Sequence, residues 1–232
     1  MKKNILTFLV LLPAFNLFSQ HLTYNFLELL HNQDMAGSPV AFENQYDGIN
    51  GTAFFSPKWI TAVAYTANGN TYTGLKVKFD IYRNKFFANI HDTIYDLSSA
   101  NVMRFDLYPA SSDTSALYSF IRGFNTPDIK PDKYIQVLAE GILTFAKHLS
   151  TDVNEVSEDG FLSKQKKFIE RTNYYIISNT GQAVYVRINK KTLEKILADK
   201  WNEINKYAVE KETSFNEEKG WVLLINHYNS LK

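Results

Sequence analysis

The stretch WITAVAYTANGNTYTGLKVKFDIY, residues 59–82, has the best-defined pattern in the chain, that of a β-hairpin. Leu75, Val77, Phe79 and Ile81 alternate with Lys76, Lys78, Asp80 and Tyr82, the period of two of a strand with one buried face. Asn68-Gly69 separates two β-prone arms, and this dipeptide suits a two-residue type I′ turn, in which both central residues need positive φ. That loop predicts Tyr65 opposite Tyr72, Ala62 opposite Leu75, Ile60 opposite Val77 and Trp59 opposite Lys78. One face of the hairpin is then aliphatic. The other carries Trp59, Tyr65, Tyr72 and Tyr82.

Outward from the hairpin, short runs separated by turn residues predict a continuing antiparallel meander through residues 86–90, a turn at His91-Asp92, and strands over 93–97 and 102–108. Residues 109–114 form a polar loop, and 123–133, with Pro127 and Pro131, form a second break. A short strand over 117–121 lies between them. Residues 134–148 suit either an interrupted helix or two strands bent at Gly141, and the strands are preferred. The acidic stretch 151–160 reads as a solvent loop. A second hairpin is expected over 174–188 around Asn179-Thr180-Gly181.

The pattern then becomes helical. Leu193, Ile196, Leu197, Trp201, Ile204 and Ala208 follow a 3.6-residue period over 190–209, with a break near Asp199. Ser214-Phe215-Asn216-Glu217 has the form of a capping box and is expected to open a last helix running through Tyr228. Strands followed by helices indicate an α+β fold, an antiparallel sheet in the N-terminal and middle parts with C-terminal helices. One domain over 20–232 is expected, β-rich over 48–188 and helical over 190–231.

The N-terminus has a different character. Met1-Lys2-Lys3-Asn4 precedes an apolar run over 5–18 and the small Ser19, the layout of a cleaved export signal that would leave Gln20 first. Pro13 and Asn16 interrupt the run, which is short for about 30 Å of hydrocarbon. Loss of Lys2 and Lys3 takes the formal charge from +1 to −1, which gives no basic surface for nucleic acid. The chain has no cysteine, so disulfides, thiol catalysis, lipoprotein acylation and Cys-based zinc sites are excluded. No later run reaches 18 apolar residues, so no membrane span is expected after signal removal.

The segments TANGNTYTGLKVKFDIYRNKFF (66–87), YIQVLAEGILTFAKH (134–148) and YYIISNTGQAVYVRINKKTLEKILADKWNEINKY (174–207), with the terminal HYNSL, resemble a family of exported proteins of unknown function from Bacteroidota. The resemblance implies export in a Gram-negative cell and transfers no active site.

The chain lacks G-x-S-x-G, H-E-x-x-H, a P-loop and G-x-G-x-x-G, which lowers the expectation of an enzyme. No cofactor is expected. His91, Asp92 and Asp96 make the one close grouping of imidazole and carboxylates, readable as an acid/base or metal site or, more plainly, as turn residues. Asp152, Asn154, Glu155, Glu158 and Asp159 could offer oxygens to calcium, yet their spacing fails the EF-hand loop. Aromatics make up 15% of the chain, and the rings of Trp59, Tyr65, Tyr72 and Tyr82 are the candidate binding face, suited to sugars or peptides unless a second layer covers them. The leading expectation is a non-enzymatic binding or assembly module of the cell envelope whose partner is an envelope protein or a glycan. The alternatives are a secreted or periplasmic hydrolase working near His91 and a peripheral outer-membrane component docking through its C-terminal helices.

Overall fold

The computed structural model describes residues 23–24, 37–42, 45–98, 100–109, 117–124, 126, 129–157 and 164–231. The expected signal at 1–19 and the end of the expected acidic loop lie outside them. Thirteen described strands form one sheet: β1 Thr23–Tyr24, β2 Ser38–Pro39, β3 Ile49–Asn50, β4 Ile60–Thr66, β5 Thr71–Asp80, β6 Lys85–Ile90, β7 Thr93–Asp96, β8 Val102–Tyr108, β9 Tyr118–Ile121, β10 Ile135–Ala139, β11 Leu143–Ser157, β12 Lys164–Ser178 and β13 Ala183–Val186. Helices α1 Lys190–Ile196, α2 Trp201–Glu210 and α3 Glu218–Ser230 follow, with a 3₁₀ turn at Ala198–Lys200 where the helical pattern was expected to break. The sheet is mostly antiparallel and the helices are C-terminal, in line with the α+β reading.

The strand order is β13-β12-β11-β10-β9-β8-β4-β5-β6-β7-β2. The meander therefore does not run straight from β7 into β8. After β7 the chain returns to pair β8 with β4, Ala64 opposite Phe105, and a second meander leaves from there. Phe105 and Leu107 are large buried residues on β8, and beside β4 they extend the aliphatic face of Ala62 and Ala64.

The hairpin at the centre keeps Ile60 opposite Val77 and Ala62 opposite Leu75. Beyond that pair the predicted register fails. Thr73 and Gly74 together oppose the single residue Val63, a bulge admitted by the positive φ of Gly74 (+73°). Tyr65 consequently pairs with Thr71, and Tyr72 turns to the buried face opposite Ala64. The loop also differs from the two-residue form. Gly69 N–H donates to Thr66 O (3.0 Å) and Thr66 N–H to Asn70 O (3.0 Å), while Gly69 alone takes positive φ (+84°). This is a three-residue loop, a type I turn followed by a left-handed glycine. The second hairpin repeats it: Gly181 N–H reaches Ser178 O (2.9 Å) and Ser178 N–H reaches Gln182 O (3.0 Å).

The sheet curls. Phe86 on β6 lies three strands from Phe105 on β8, about 14 Å across a flat sheet at roughly 4.8 Å per strand. Their rings stack at 4.0 Å. Phe79 on β5 likewise meets Phe120 on β9 at 4.8 Å. The inside of this curl is a core of aromatic and aliphatic side chains from β4 to β9, and Tyr134 enters it from the chain before β10. Asn84 clasps the curl shut: its side-chain amide donates to Tyr134 O (2.9 Å) while its carbonyl accepts from Tyr134 N–H (2.7 Å). The Tyr134 hydroxyl then donates to Val102 O (2.7 Å).

Beyond the curl, the same face of β10 to β13 is covered by the helices, where Leu193, Ile204, Trp221 and Leu224 pack on Phe145 and Ile176. Asn189 caps α1, its side chain accepting from Thr192 N–H (2.9 Å). Glu218 in the first turn of α3 accepts from Lys147 (3.0 Å) and from the Tyr174 hydroxyl (2.9 Å), and burial together with that carboxylate pushes the Tyr174 phenol up to about 12. The expected capping box does not cap. Ser214 Oγ accepts from Asn216 N–H (3.2 Å), and α3 begins only after Glu217. The wholly buried Trp221 donates its indole N–H to Phe215 O (2.8 Å), and Ser214 O sits where a Cβ on Gly220 would lie 1.7 Å away. Those two contacts hold 214–215 against the side of the helix, out of capping position.

Much of the stretch expected as an acidic loop is strand. Residues 151–157 complete β11, paired without interruption to β12 from Ser157 opposite Lys164 to Leu143 opposite Ser178. Asp152 meets Arg171 (3.0 Å) and Glu155 meets Lys164 (3.4 Å). The acids are half of a charge-complementary ribbon whose basic half follows later in the chain.

Asn84→Ala removes both bonds of the clasp and leaves the Tyr134 amide and carbonyl buried without partners. It should lower stability by about 2–5 kcal/mol. Urea unfolding measures this, and an unchanged midpoint at constant m would show that the clasp is dispensable.

Candidate functional site

Lys130-Pro131-Asp132-Lys133 folds as a β-turn, with Pro131 presetting φ at the second position and Lys133 N–H donating to Lys130 O (3.0 Å). Such a turn holds its first and fourth Cα atoms within about 7 Å, so it gathers two lysines. Gly123 N–H anchors the turn through Pro131 O (2.9 Å). Facing it is the turn at 81–84 between β5 and β6. The fully buried Asp80 accepts from Arg83 N–H (2.9 Å) and from the Tyr46 hydroxyl, and the φ of +53° at Asn84 completes the reversal. Tyr82 projects from this turn. It is 45% exposed, edge-on to Tyr46 (6.0 Å) and Phe168 (5.7 Å).

Strand β11 supplies the third wall through His148 and Ser150, two residues apart on one face. These three elements enclose a cleft of about 240 Å³ lined by Ile81, Tyr82, Asn84, Ile129, Lys130, Lys133, His148 and Ser150. Because Asn84 bonds the backbone of Tyr134, the clasp that closes the sheet also sets one cleft wall against another.

Among the described residues no carboxylate lines the cleft. Lys133 comes within 3.9 Å of Asp132, whose side chain is 66% exposed, a screened contact of little strength. Burial, reinforced by the Lys133 ammonium, holds the His148 imidazole below its usual range and hence neutral at pH 7. Two cations, a neutral imidazole and a hydroxyl converge beside a tyrosine ring and two isoleucines. Ser150 makes no hydrogen bond to His148 among the described residues, so the cleft holds no paired nucleophile and base. Its chemistry is that of holding a small anionic group with an apolar edge.

Of the four rings expected to form a binding face, Tyr82 alone lines this cleft. Tyr72 is fully buried in the core of the curl, turned inward by the bulge. Trp59 is half-buried in an internal cluster where the Lys78 ammonium lies 4.8 Å from the ring of Phe54, 5.7 Å from Phe42 and 5.8 Å from Trp59, and burial lowers its pKa. Tyr65 lies beside Asp106 and Arg104, and burial followed by the Asp106 carboxylate raises its phenol pKa. The four rings do not share a face.

His91, Asp92 and Asp96 do not converge either. His91 and Asp92 both take positive φ (+48° and +62°) and form the two-residue turn between Ile90 and Thr93, the type I′ geometry expected of Asn68-Gly69. Asp96 lies four residues along β7, about 13 Å away. There Lys85 (2.8 Å) and Ser98 bind it; burial opposes its ionisation, and these bonds outweigh burial to hold the carboxyl below its usual range. No group of three or more His, Asp or Glu among the described residues could hold a metal. The calcium reading fares no better, with Asp152 and Glu155 engaged by cations and Glu158 and Asp159 outside the described residues.

Sequence reasoning missed Lys130, Lys133, His148 and Ser150. The Lys-Pro-Asp-Lys turn was a usable signal, whereas nothing near His148 announces its distant neighbours. Two other concavities are less suited because each mixes both charges: one is lined by Glu194, Asp199, Lys200 and Glu203, the other by Asp47, Lys164 and Lys166. No family model, no curated protein and no solved structure matches this chain.

Tyr72→Ala should cost about 3–5 kcal/mol as a large core truncation, while Tyr82→Ala should stay within about 1 kcal/mol. Thermal melting of the pair tests the assignment, and equal losses would refute it. His148 binds its proton less readily when folded than when unfolded. Its stabilising contribution is therefore present above its unfolded pKa, about 6.5, and lost as pH falls through the lower folded value. His148→Gln should flatten the decline in stability between pH 7 and 5; a parallel decline in both proteins would disprove the linkage.

Proposed function

We propose that this protein is an exported, non-enzymatic binding module of the cell envelope that captures an anionic group in the cleft formed by Tyr82, Lys130, Lys133 and His148. One observation carries the reading: two lysines gathered by a single turn meet the His148 imidazole and an exposed ring in a concavity without a carboxylate among the described residues. Neither the Lys130 nor the His148 side chain has a hydrogen bond or ion pair among the described residues, which leaves both available to a ligand. Export rests on the Met1-to-Ser19 leader and on the resemblance to exported Bacteroidota proteins. The partner expected from the sequence, an envelope protein or a glycan, would present the anionic group. No described helix is long and apolar enough to cross a membrane.

Inorganic phosphate should raise the melting temperature relative to chloride at equal ionic strength. At ten times its Kd the gain is about 1.4 kcal/mol. The Lys130→Ala/Lys133→Ala double variant should melt as the parent does without phosphate and lose the gain. An undiminished phosphate effect in that variant would sink the cleft as the site.

A further inference from the structure

We propose that the group held in this cleft is a phosphomonoester dianion attached to a compact apolar or ring moiety; this rests on the anion-binding reading above. The charge of the cleft favours a dianion. Lys130 and Lys133 stand at the two ends of one turn, close enough for both ammonium groups to approach a single head group, and among the described residues no lining carboxylate offsets them. A doubly charged group balances both ammonium charges, whereas a monoanion balances one. The remaining donors fit the same head. Ser150 offers a hydroxyl and His148 one N–H, hydrogen bonds suited to the several oxygens of a tetrahedral ester.

The shape of the cleft limits what the ester can carry. The cleft, about 240 Å³, is smaller than the roughly 300–1,000 Å³ of sites for drug-sized ligands, so little more than the head group and one small moiety can enter. That moiety would meet Ile81, Ile129 and the ring of Tyr82, which its edge contacts with Tyr46 and Phe168 hold in place. A ring stacked on Tyr82, aromatic or sugar, uses this wall at small entropic cost.

The test is calorimetric titration of the full mature chain at about pH 7.5, where a phosphomonoester is largely dianionic because its second pKa is about 6. Phenyl phosphate is compared with benzenesulfonate, which has the same ring and a similar tetrahedral head but one charge. Phenyl phosphate should bind about tenfold or more tightly, and Lys130→Ala and Lys133→Ala should each remove most of that difference. Tyr82→Ala should weaken phenyl phosphate more than inorganic phosphate, and an equal loss for both would remove the ring contact from the proposal. Vesicles of phosphatidylcholine with phosphatidic acid identify the source: depletion by them supports the ester as a lipid headgroup, and binding of the soluble ester alone supports a free one. Equal affinity for the two aryl ligands would overturn the dianion assignment and leave the anion-binding cleft standing. Binding of neither ligand, nor of inorganic phosphate, would overturn both.

Discussion

The paired hydrogen bonds between the Asn84 side chain and the Tyr134 backbone hold together what strand pairing alone does not. Ladder bonds link each strand to its neighbours. They do not require β6 to face β8 or β9 across the inside of a curl. That closure depends on the stack of Phe86 on Phe105, on Phe79 against Phe120, and on Tyr134, which sets its ring edge-on to Phe86 (5.0 Å) and tilted against Phe105 (5.6 Å). Tyr134 can occupy this position because Asn84 satisfies its peptide groups and Val102 accepts from its hydroxyl, so a segment that would otherwise bury unpaired polar atoms is accommodated. Burial raises the Tyr134 phenol well above its usual range, in keeping with a hydroxyl that only donates.

The same bonds connect stability to the cleft. Asn84 lies in the turn that presents Tyr82, and Tyr134 directly follows the turn that gathers Lys130 and Lys133. Fixing the two turns to each other fixes the distance across the cleft, a preorganisation that lowers the ordering cost of binding. The lysines stay near the solvent while the backbone beneath them is held. In this arrangement the rigid part is the peptide framework and the adaptable part is the pair of ammonium groups, which suits a charged head group better than a shape-matched apolar ligand.

The aromatic excess is mostly spent inside. Phe42, Phe54 and Trp59 surround the Lys78 ammonium, so the outer face of the central hairpin is occupied by the chain's own N-terminal segment. Attraction between this ammonium and the three ring faces ties Phe42, Phe54 and Trp59 to β5 without a disulfide. Arg83 over Tyr46 (5.1 Å) and Tyr46 against Phe168 (5.3 Å) extend the tie to the long ribbon of β11 and β12. In a chain without cysteine, these contacts do some of the stapling that disulfides do elsewhere.

Features that depend on neighbours a few residues apart are legible in the amino-acid order. The alternation from Leu75 to Ile81, the pairing of Ile60 with Val77, the strands on either side of Gly141, the turn at His91-Asp92 and the helical period from Leu193 onward all arise from local periodicity and turn chemistry, and all are present in the structure. The remaining features rest on contacts between residues far apart in the chain. The inward turn of Tyr72 follows from one extra residue at Thr73-Gly74, which reverses every side chain beyond it and is invisible to a period-two count. The acidic stretch became a strand because its basic partner lies across the following hairpin, and Ser214 lost its capping role to a carbonyl contact at Gly220 and an indole bond from Trp221. Of the cleft, Tyr82 was read as an exposed ring, and Lys130-Pro131-Asp132-Lys133 only as part of the break over 123–133. Their convergence on His148 was not legible, since it exists only once the sheet has curled and Asn84 has closed on Tyr134, a contact between residues fifty positions apart.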